Sequence, residues 1–290
     1  MTSSTSNSEK TFLKFLTLGF LGLCALYAGS IYLFFPHGGT GQNQYQTNRI
    51  KSERYLFLSK APEVVIVGSS LAARLKELPS NWYNLAMPGE TSALGLKVIR
   101  LRDDLPKSIL VEVNPSTREI SKKLLDALSS PTQMRLKKQI PLLRDEYQPS
   151  LILLSVLRKA LGAGQSDPKL SKEFRDALAQ KHLAANSEIE TKDFQNIFLN
   201  DLQHAVEELA KRHVKIIFFE VPTERVLMEL ERMKDLRALE HEALSSPSYA
   251  WVETPSNHGY ETSDGLHLVP SAAREFTNYL VEKTKALSSH

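Results

Sequence analysis

From Phe15 to Phe35 the chain runs 21 residues without a charged side chain, about the number a helix needs to cross the roughly 30 Å hydrocarbon core of a bilayer. The pattern predicts a transmembrane helix over residues 15–35, preceded by a short cytoplasmic tail (1–14) and stopped by Pro36, His37, Gly38 and Gly39. Lys10 and Lys14 precede the run, and Tyr27 and Tyr32 lie toward its far end. This arrangement predicts a single-pass inner-membrane protein with its bulk in the periplasm or cell exterior. Arg49, Lys51 and Arg54 follow closely and weaken the charge asymmetry. A cleaved signal peptide and a buried core helix are the alternatives; the run is longer than the h-region of about 7–15 residues typical of signal peptides.

Beyond it, residues 36–55 begin Gly/Gln/Asn-rich and read as a linker. Residues 56–290 read as one domain. Val64–Val67 is a continuous β-branched run ending at Gly68, which predicts a buried strand, with a helix over 71–78 after the turn. Residues 82–87 read as a second strand stopped by Pro88-Gly89. Helical spacing follows over 90–105, and 109–113 (ILVEV) reads as a third strand ended by Asn114-Pro115. Later come an amphipathic helix (194–212), a fourth strand (214–221) and a closing helix (271–286). Alternating strands and helices predict an α/β fold, a parallel sheet with helices on both faces. Residues 116–200 show no convincing strand and read as a helical insertion. Leaving the sheet at a strand's C-terminal end, it would overhang the place where open α/β sheets bind ligands.

Composition narrows the function classes only a little. With 42% hydrophobic and 24% charged residues the chain can build a sizeable core. Thirty-six Lys+Arg against 33 Asp+Glu give no reason to expect a nucleic-acid partner. A single cysteine, Cys24, excludes an intrachain disulfide and a cysteine zinc cluster. His241-Glu242 lacks a second histidine at helical spacing, and no Walker or dinucleotide glycine pattern occurs, so neither a metal nor a cofactor is expected.

Three predicted strands end in residues able to do chemistry: Gly68-Ser69-Ser70, Pro88-Gly89 and Asn114. A fourth group is Asp264-Gly265-Leu266-His267. Singly, each has an ordinary reading as a helix cap, a turn, a loop or a structural histidine. Together they supply the parts of acyl transfer. A serine hydroxyl is a poor nucleophile until an imidazole takes its proton, and a carboxylate must hold that imidazole in the right tautomer. The tetrahedral oxyanion needs donors, which the Gly89 N–H and the Asn114 amide could supply. Arg74, one helical turn beyond Ser70, could hold an anionic group or orient the serine turn; a surface salt bridge is the alternative. His258, nine residues before His267, is a lesser candidate, and the basic run Arg135, Lys137, Lys138 and Arg144 could meet anionic polymer or lipid headgroups.

In these blocks the chain resembles the SGNH (GDSL-like) hydrolase superfamily: VVIVGSSLAAR is similar to its serine block, YNLAMPGET to its glycine block, ILVEVNPST to its asparagine block and SDGLHLVPSAAREF to its closing Asp-x-x-His block. The resemblance covers roughly residues 62–115 and 213–285. It implies a flavodoxin-like three-layer sandwich, with Ser70 as nucleophile, His267 as base, Asp264 as its partner, and Gly89 and Asn114 as oxyanion donors. Two departures stand out: Ser69 occupies the place of the usual Asp, and the asparagine block reads Val-Glu-Val-Asn-Pro where many relatives have a Gly-rich Asn-Asp sequence. Because the two serines are adjacent, Ser69 remains an alternative nucleophile.

The Gly-Ser-Ser start is similar to that of membrane-anchored branches such as the D-alanyl transfer protein of teichoic acids, with alginate O-acetylation proteins as broader relatives. The resemblance thus implies a membrane-anchored acyltransferase or esterase acting on O-acyl groups, acetyl among them, of an envelope polysaccharide. Its expected partners are that glycan or an acyl donor, a polytopic membrane acyltransferase, and the bilayer through residues 15–35. The competing reading is a catalytically silent glycan-binding or assembly protein on the same frame.

Overall fold

The computed structural model describes residues 7–36, 38–161, 171–255 and 259–288. Helix α1 spans Asn7–Phe34, and within it Glu9–Phe34 is long and apolar enough to cross a membrane, with nearly all of it exposed in the protein. Helix α2 (Gln44–Leu56) occupies much of the stretch expected to be a linker. Burial overrides composition there. Asn48, Ser52, Glu53 and Tyr55 are all buried, and the Arg102 guanidinium donates to the carbonyls of Tyr55, Leu56 and Leu58 at 2.8, 3.1 and 3.0 Å. A cation on the last carbonyls of a helix answers both their unpaired acceptors and the negative end of the helix dipole.

The sheet has strands β1 (Val64–Val67), β2 (Trp82–Asn84), β3 (Ser108–Glu112), β4 (Lys215–Phe219) and β5 (Tyr249–Val252), in the order β2-β1-β3-β4-β5. All four pairings are parallel. β1 and β3 are buried throughout, as a sheet covered on both faces requires, which is why they read as unbroken apolar runs. β5 escaped the sequence reading because its four residues are a short edge element and three of them are only half-buried. The strand expected over 82–87 is shorter for the same kind of reason. β2 is the other edge, and its extension is tied to β1 by isolated bonds from Leu85 N to Ile66 O and Met87 N to Gly68 O, each 2.8 Å.

Helices α3 (Ser92–Ile99), α4 (Lys122–Ser129), α5 (Pro131–Gln139), α6 (Pro149–Ala160), α7 (Lys172–Ser187), α8 (Asn200–Ala210), α9 (Glu231–Ala243) and α10 (Pro270–Ser288) complete the main elements. A π-helical stretch, Phe194–Leu199, leads into α8. α3 approaches β1 through Gly95, where a Cβ would lie 2.8 Å from the Val67 side chain. The helix expected over 71–78 is a single 3-10 turn, Ala72–Arg74, because the chain turns extended at Leu75. α10 closes the core against β4: Phe276 and Leu280 join Ile66, Leu110, Ile217 and Phe219 in one buried cluster.

The chain divides into two compact units. One draws on Met1–Ile50 and Thr132–Gln165, the other on Lys51–Pro131 and Ser166–His290. The second holds the whole sheet. Part of the expected insertion therefore belongs with the N-terminal helix, while α7 belongs with the sheet.

Candidate active site

β1 ends at Val67 and after Gly68 the chain turns into the 3-10 helix, so Ser69 and Ser70 stand at the C-terminal edge of the sheet, beside the end of β3. The two serines face different partners. Ser70 Oγ lies 2.8 Å from His267 Nε2, and His267 Nδ1 lies 2.8 Å from Asp264 Oδ2. Ser69 Oγ points the other way and donates to Glu112 Oε1 at 2.7 Å. The second oxygen of Glu112 accepts the N–H groups of Ser69 (2.8 Å) and Ala72 (3.0 Å).

Glu112 is thus a buried carboxylate anchoring the serine turn, and it joins the two departures from the SGNH pattern into one contact. Burial pushes its carboxyl above the usual range, against the opposing pull of the hydrogen bonds from Ser69 and Ala72 and of His267. The block sequence alone does not single out this glutamate. Its signal was a charge inside the otherwise apolar strand ILVEV, since a buried carboxylate needs donors arranged around it. Gly68 leaves room for the arrangement: a Cβ there would run into the Glu112 carboxylate and stand 2.8 Å from the Ala72 Cβ.

Asp264 and His267 come from a tight loop closed by a bridge between Thr262 and Leu268 and by Ser263 N donating to His267 O at 2.7 Å. Asp264 Oδ1 accepts the N–H groups of Leu266 (3.2 Å) and His267 (2.8 Å), so the carboxylate is oriented before it meets the ring. Partial burial opposes its ionisation, but the His267 ring and backbone bonds, the nearby imidazole charge and the Leu266 N–H outweigh that and hold the carboxyl well below the usual carboxylate range. Gly265 has φ +88°, a region that disfavours any side chain. A Cβ there would also press on Ala179 of α7 at 3.0 Å.

Arg74 lies beside this loop. Its Nη1 donates to Leu268 O at 3.3 Å and Ser263 Oγ at 3.4 Å, tying the serine turn to the histidine loop. Gly89, with φ +77°, is the third residue of a turn in which Glu90 N donates to Met87 O at 3.0 Å. Proline followed by a positive-φ glycine is the signature of a type II turn, and this conformation explains the glycine. Asn114 lines the cleft, and its side chain brackets the Val221 backbone, Nδ2 donating to Val221 O at 2.9 Å and Oδ1 accepting from Val221 N at 2.8 Å. One of its two amide hydrogens is therefore used in joining the ends of β3 and β4. His258 lies outside the described residues.

Two clefts flank the Ser70–His267 pair. One, of about 340 Å³, runs past Arg74, Lys76 and Pro88. The other, of about 310 Å³, opens over the sheet edge and is walled partly by His182, Ala185 and Asn186 of α7, with Glu90, Arg118 and Leu227 around it. His182 Nε2 stands 4.0 Å from Asp264 Oδ2, placing a second imidazole beside the same carboxylate. Burial pushes the His182 ring down, more strongly than Asp264 pulls it up, and the His267 charge adds to the lowering. Nothing in the sequence marks His182: it sits in a polar helix far from every motif, and only folding brings it here. On the floor of this cleft, Arg237 makes a forked pair with Glu220, with contacts of 2.7 to 2.9 Å. Among the described residues no group of histidine, cysteine and carboxylate side chains has the arrangement of a metal site.

No family model matches the chain, and no curated protein does. Among solved structures, one described as a "putative platelet activating factor from Streptococcus pneumonia" aligns over 83% of this chain and 92% of its own, at 13% identity and a TM-score of 0.43. Likeness at that level speaks to neither activity nor substrate, so the chemistry rests on the side-chain geometry above.

Proposed function

We propose that this chain is a membrane-anchored serine esterase or acyltransferase that removes or transfers O-acyl groups, acetyl among them, on an envelope polysaccharide. The observation that carries the reading is the continuous chain Ser70 Oγ, His267 Nε2, His267 Nδ1, Asp264 Oδ2, with both contacts at 2.8 Å, opening onto a cleft. In this reading His267 Nε2 takes the Ser70 proton as Oγ attacks the ester carbonyl. The same proton then passes to the departing alkoxide, leaving the acyl group on Ser70. Water or a sugar hydroxyl next gives its proton to His267 as it attacks the acyl carbonyl, and the imidazolium returns that proton to Ser70 Oγ as the acyl–serine bond breaks. The Gly89 N–H and the second Asn114 amide hydrogen serve the oxyanion. Asp264, held ionised, favours the imidazolium formed in each step. Ser69 is a turn residue here, because its hydroxyl is committed to Glu112.

A glycan substrate is supported by the polar side chains of Glu90, Arg118 and Asn186, which line the 310 Å³ cleft and are the kind that bind hydroxyl groups, and by a helix able to hold the enzyme at a membrane. Transfer requires the acceptor hydroxyl to compete with water at about 55 M, so it depends on binding the acceptor beside the acyl-enzyme. The test exposes the full-length protein in detergent to a fluorophosphonate and maps the adduct by peptide mass spectrometry. Labelling on Ser70 that persists in Ser69→Ala and vanishes in His267→Ala is expected. A folded protein that takes no label would refute the esterase reading and leave the silent binding frame. Release of acetate from O-acetylated polysaccharide, compared with a small aryl acetate, then tests the substrate class separately.

A further inference from the structure

The unit that contains α1 also contains α6 and the short turns before it, and these are fastened to the far end of α1. The Tyr27 hydroxyl donates to Tyr147 O at 2.5 Å, the Tyr147 hydroxyl to Pro36 O at 3.3 Å, Gly39 N to Glu146 O at 2.6 Å and Thr40 N to Ser155 Oγ at 3.2 Å. Asp145, itself buried, binds Arg49 Nε at 2.8 Å and Lys137 Nζ at 2.5 Å. Ile31 is buried, while the lipid-compatible residues from Phe12 to Leu26 are exposed.

Depth follows from this attachment. Tyr27 and Ile31 belong to the charge-free run 15–35, nearly all of which is needed to cross about 30 Å. Tyr27 lies eight residues before its end, about 12 Å along a helix axis. Tyr147, bonded to both Tyr27 and Pro36, therefore lies within the far leaflet, and α6, bonded through Ser155 to Thr40 just beyond the run, lies at the level of that leaflet's headgroups and upper acyl chains.

α6 is built for that level. Leu151 and Ile152 face inward, whereas Leu153, Val156, Leu157, Ala160 and Leu161, spaced i, i+3, i+4, i+7, i+8, form an exposed apolar stripe. Leu153 is 61% exposed and Leu161 81%. Leu136, Ile140 and Leu143 in the same unit are also exposed. Residues 132–161 carry six basic side chains and two acidic ones, the polarity that favours phosphate headgroups beside a buried apolar face.

We propose that α6 and the preceding turns form a second membrane contact, an amphipathic element lying in the bilayer interface with Leu153, Val156, Leu157 and Leu161 among the acyl chains. The inference rests on α1 spanning the bilayer and is independent of the proposed chemistry. To test it, the full chain with Cys24→Ala is reconstituted in phosphatidylethanolamine/phosphatidylglycerol vesicles. Nitroxide labels are placed singly at Leu153→Cys, Leu157→Cys and Ala160→Cys, with Leu21→Cys and Lys211→Cys as lipid and aqueous references. Spin relaxation by oxygen exceeding that by a water-soluble nickel chelate at the stripe, as at position 21, is the expected result. Ala160→Cys is the mildest change and keeps the test should a leucine variant fail to fold. Nickel access equal to that at position 211, or shielding from both reagents as under a protein partner, would overturn the proposal. If position 21 itself lies outside lipid, the anchor reading falls with it.

Discussion

Ser69 and Ser70 are chemically the same side chain one residue apart, and what separates them is the direction each faces at the sheet edge. Ser70 meets an imidazole, whereas Ser69 meets Glu112, with which it shares a carboxylate already receiving two backbone N–H groups. Ser69→Ala removes a donor to a buried acceptor and is expected to cost about 1–3 kcal/mol, read as a lower denaturant midpoint, while fluorophosphonate labelling of Ser70 survives. Glu112 also sets a pH dependence. Its carboxyl is raised in the folded state, so the folded chain binds more protons than the unfolded one between the ordinary glutamate value of about 4.3 and the raised folded value. Its contribution to stability is complete below that window and is lost as pH rises through it. Denaturation series from pH 4 to 8 should show a slope that flattens in Glu112→Gln; an unchanged slope would remove Glu112 as its source.

At the scale of elements, the site depends on strand ends being close and on turns that few residues can make. The serine turn follows β1, Glu112 ends β3, and Asn114 brackets Val221 just beyond β4, so three adjacent parallel strands hold the parts in register. Gly68 lies where the first two meet. A methyl group at that position displaces the Glu112 carboxylate and, through it, the turn bearing Ser70. Gly68→Ala is therefore expected to slow Ser70 labelling roughly 10- to 100-fold, since misplacement of a reacting group by about 1 Å has effects of that order. Circular dichroism should show the α/β fold retained. Gly89→Ala tests a different element: its φ of +77° disfavours a side chain by about 1–2 kcal/mol. A correspondingly lowered melting temperature is the expected outcome.

At the scale of the molecule, segments distant in sequence converge on one cleft. α7 contributes His182 beside Asp264 and Ala185 in the wall, nearly 80 residues before the loop that it overlies. Ala185→Trp should fill much of the 310 Å³ cleft. Turnover of a polysaccharide ester is expected to fall at least tenfold, while a small fluorophosphonate, which needs only Ser70 and its donors, still labels. Equal loss of both would mean that the substitution disturbs the catalytic chain and not the substrate's place.

Local patterning was enough to read the long apolar helix, four of the five strands, the parallel α/β class and the short list of polar residues at strand ends. Each is written in contiguous residues, as hydrophobic period, β-branched runs or a turn dipeptide. The edge strand β5 and the helix α2 were not legible, because one is short and half-exposed and the other has the composition of a linker and is stabilised by burial and by Arg102 from elsewhere in the chain. The orientation of Ser69 away from the imidazole, the Glu112 anchor and the arrival of His182 were likewise set by tertiary structure alone. A side chain's direction at the end of a strand depends on which neighbours the sheet order supplies. Those neighbours lie 40 to 200 residues away, beyond the reach of any local pattern.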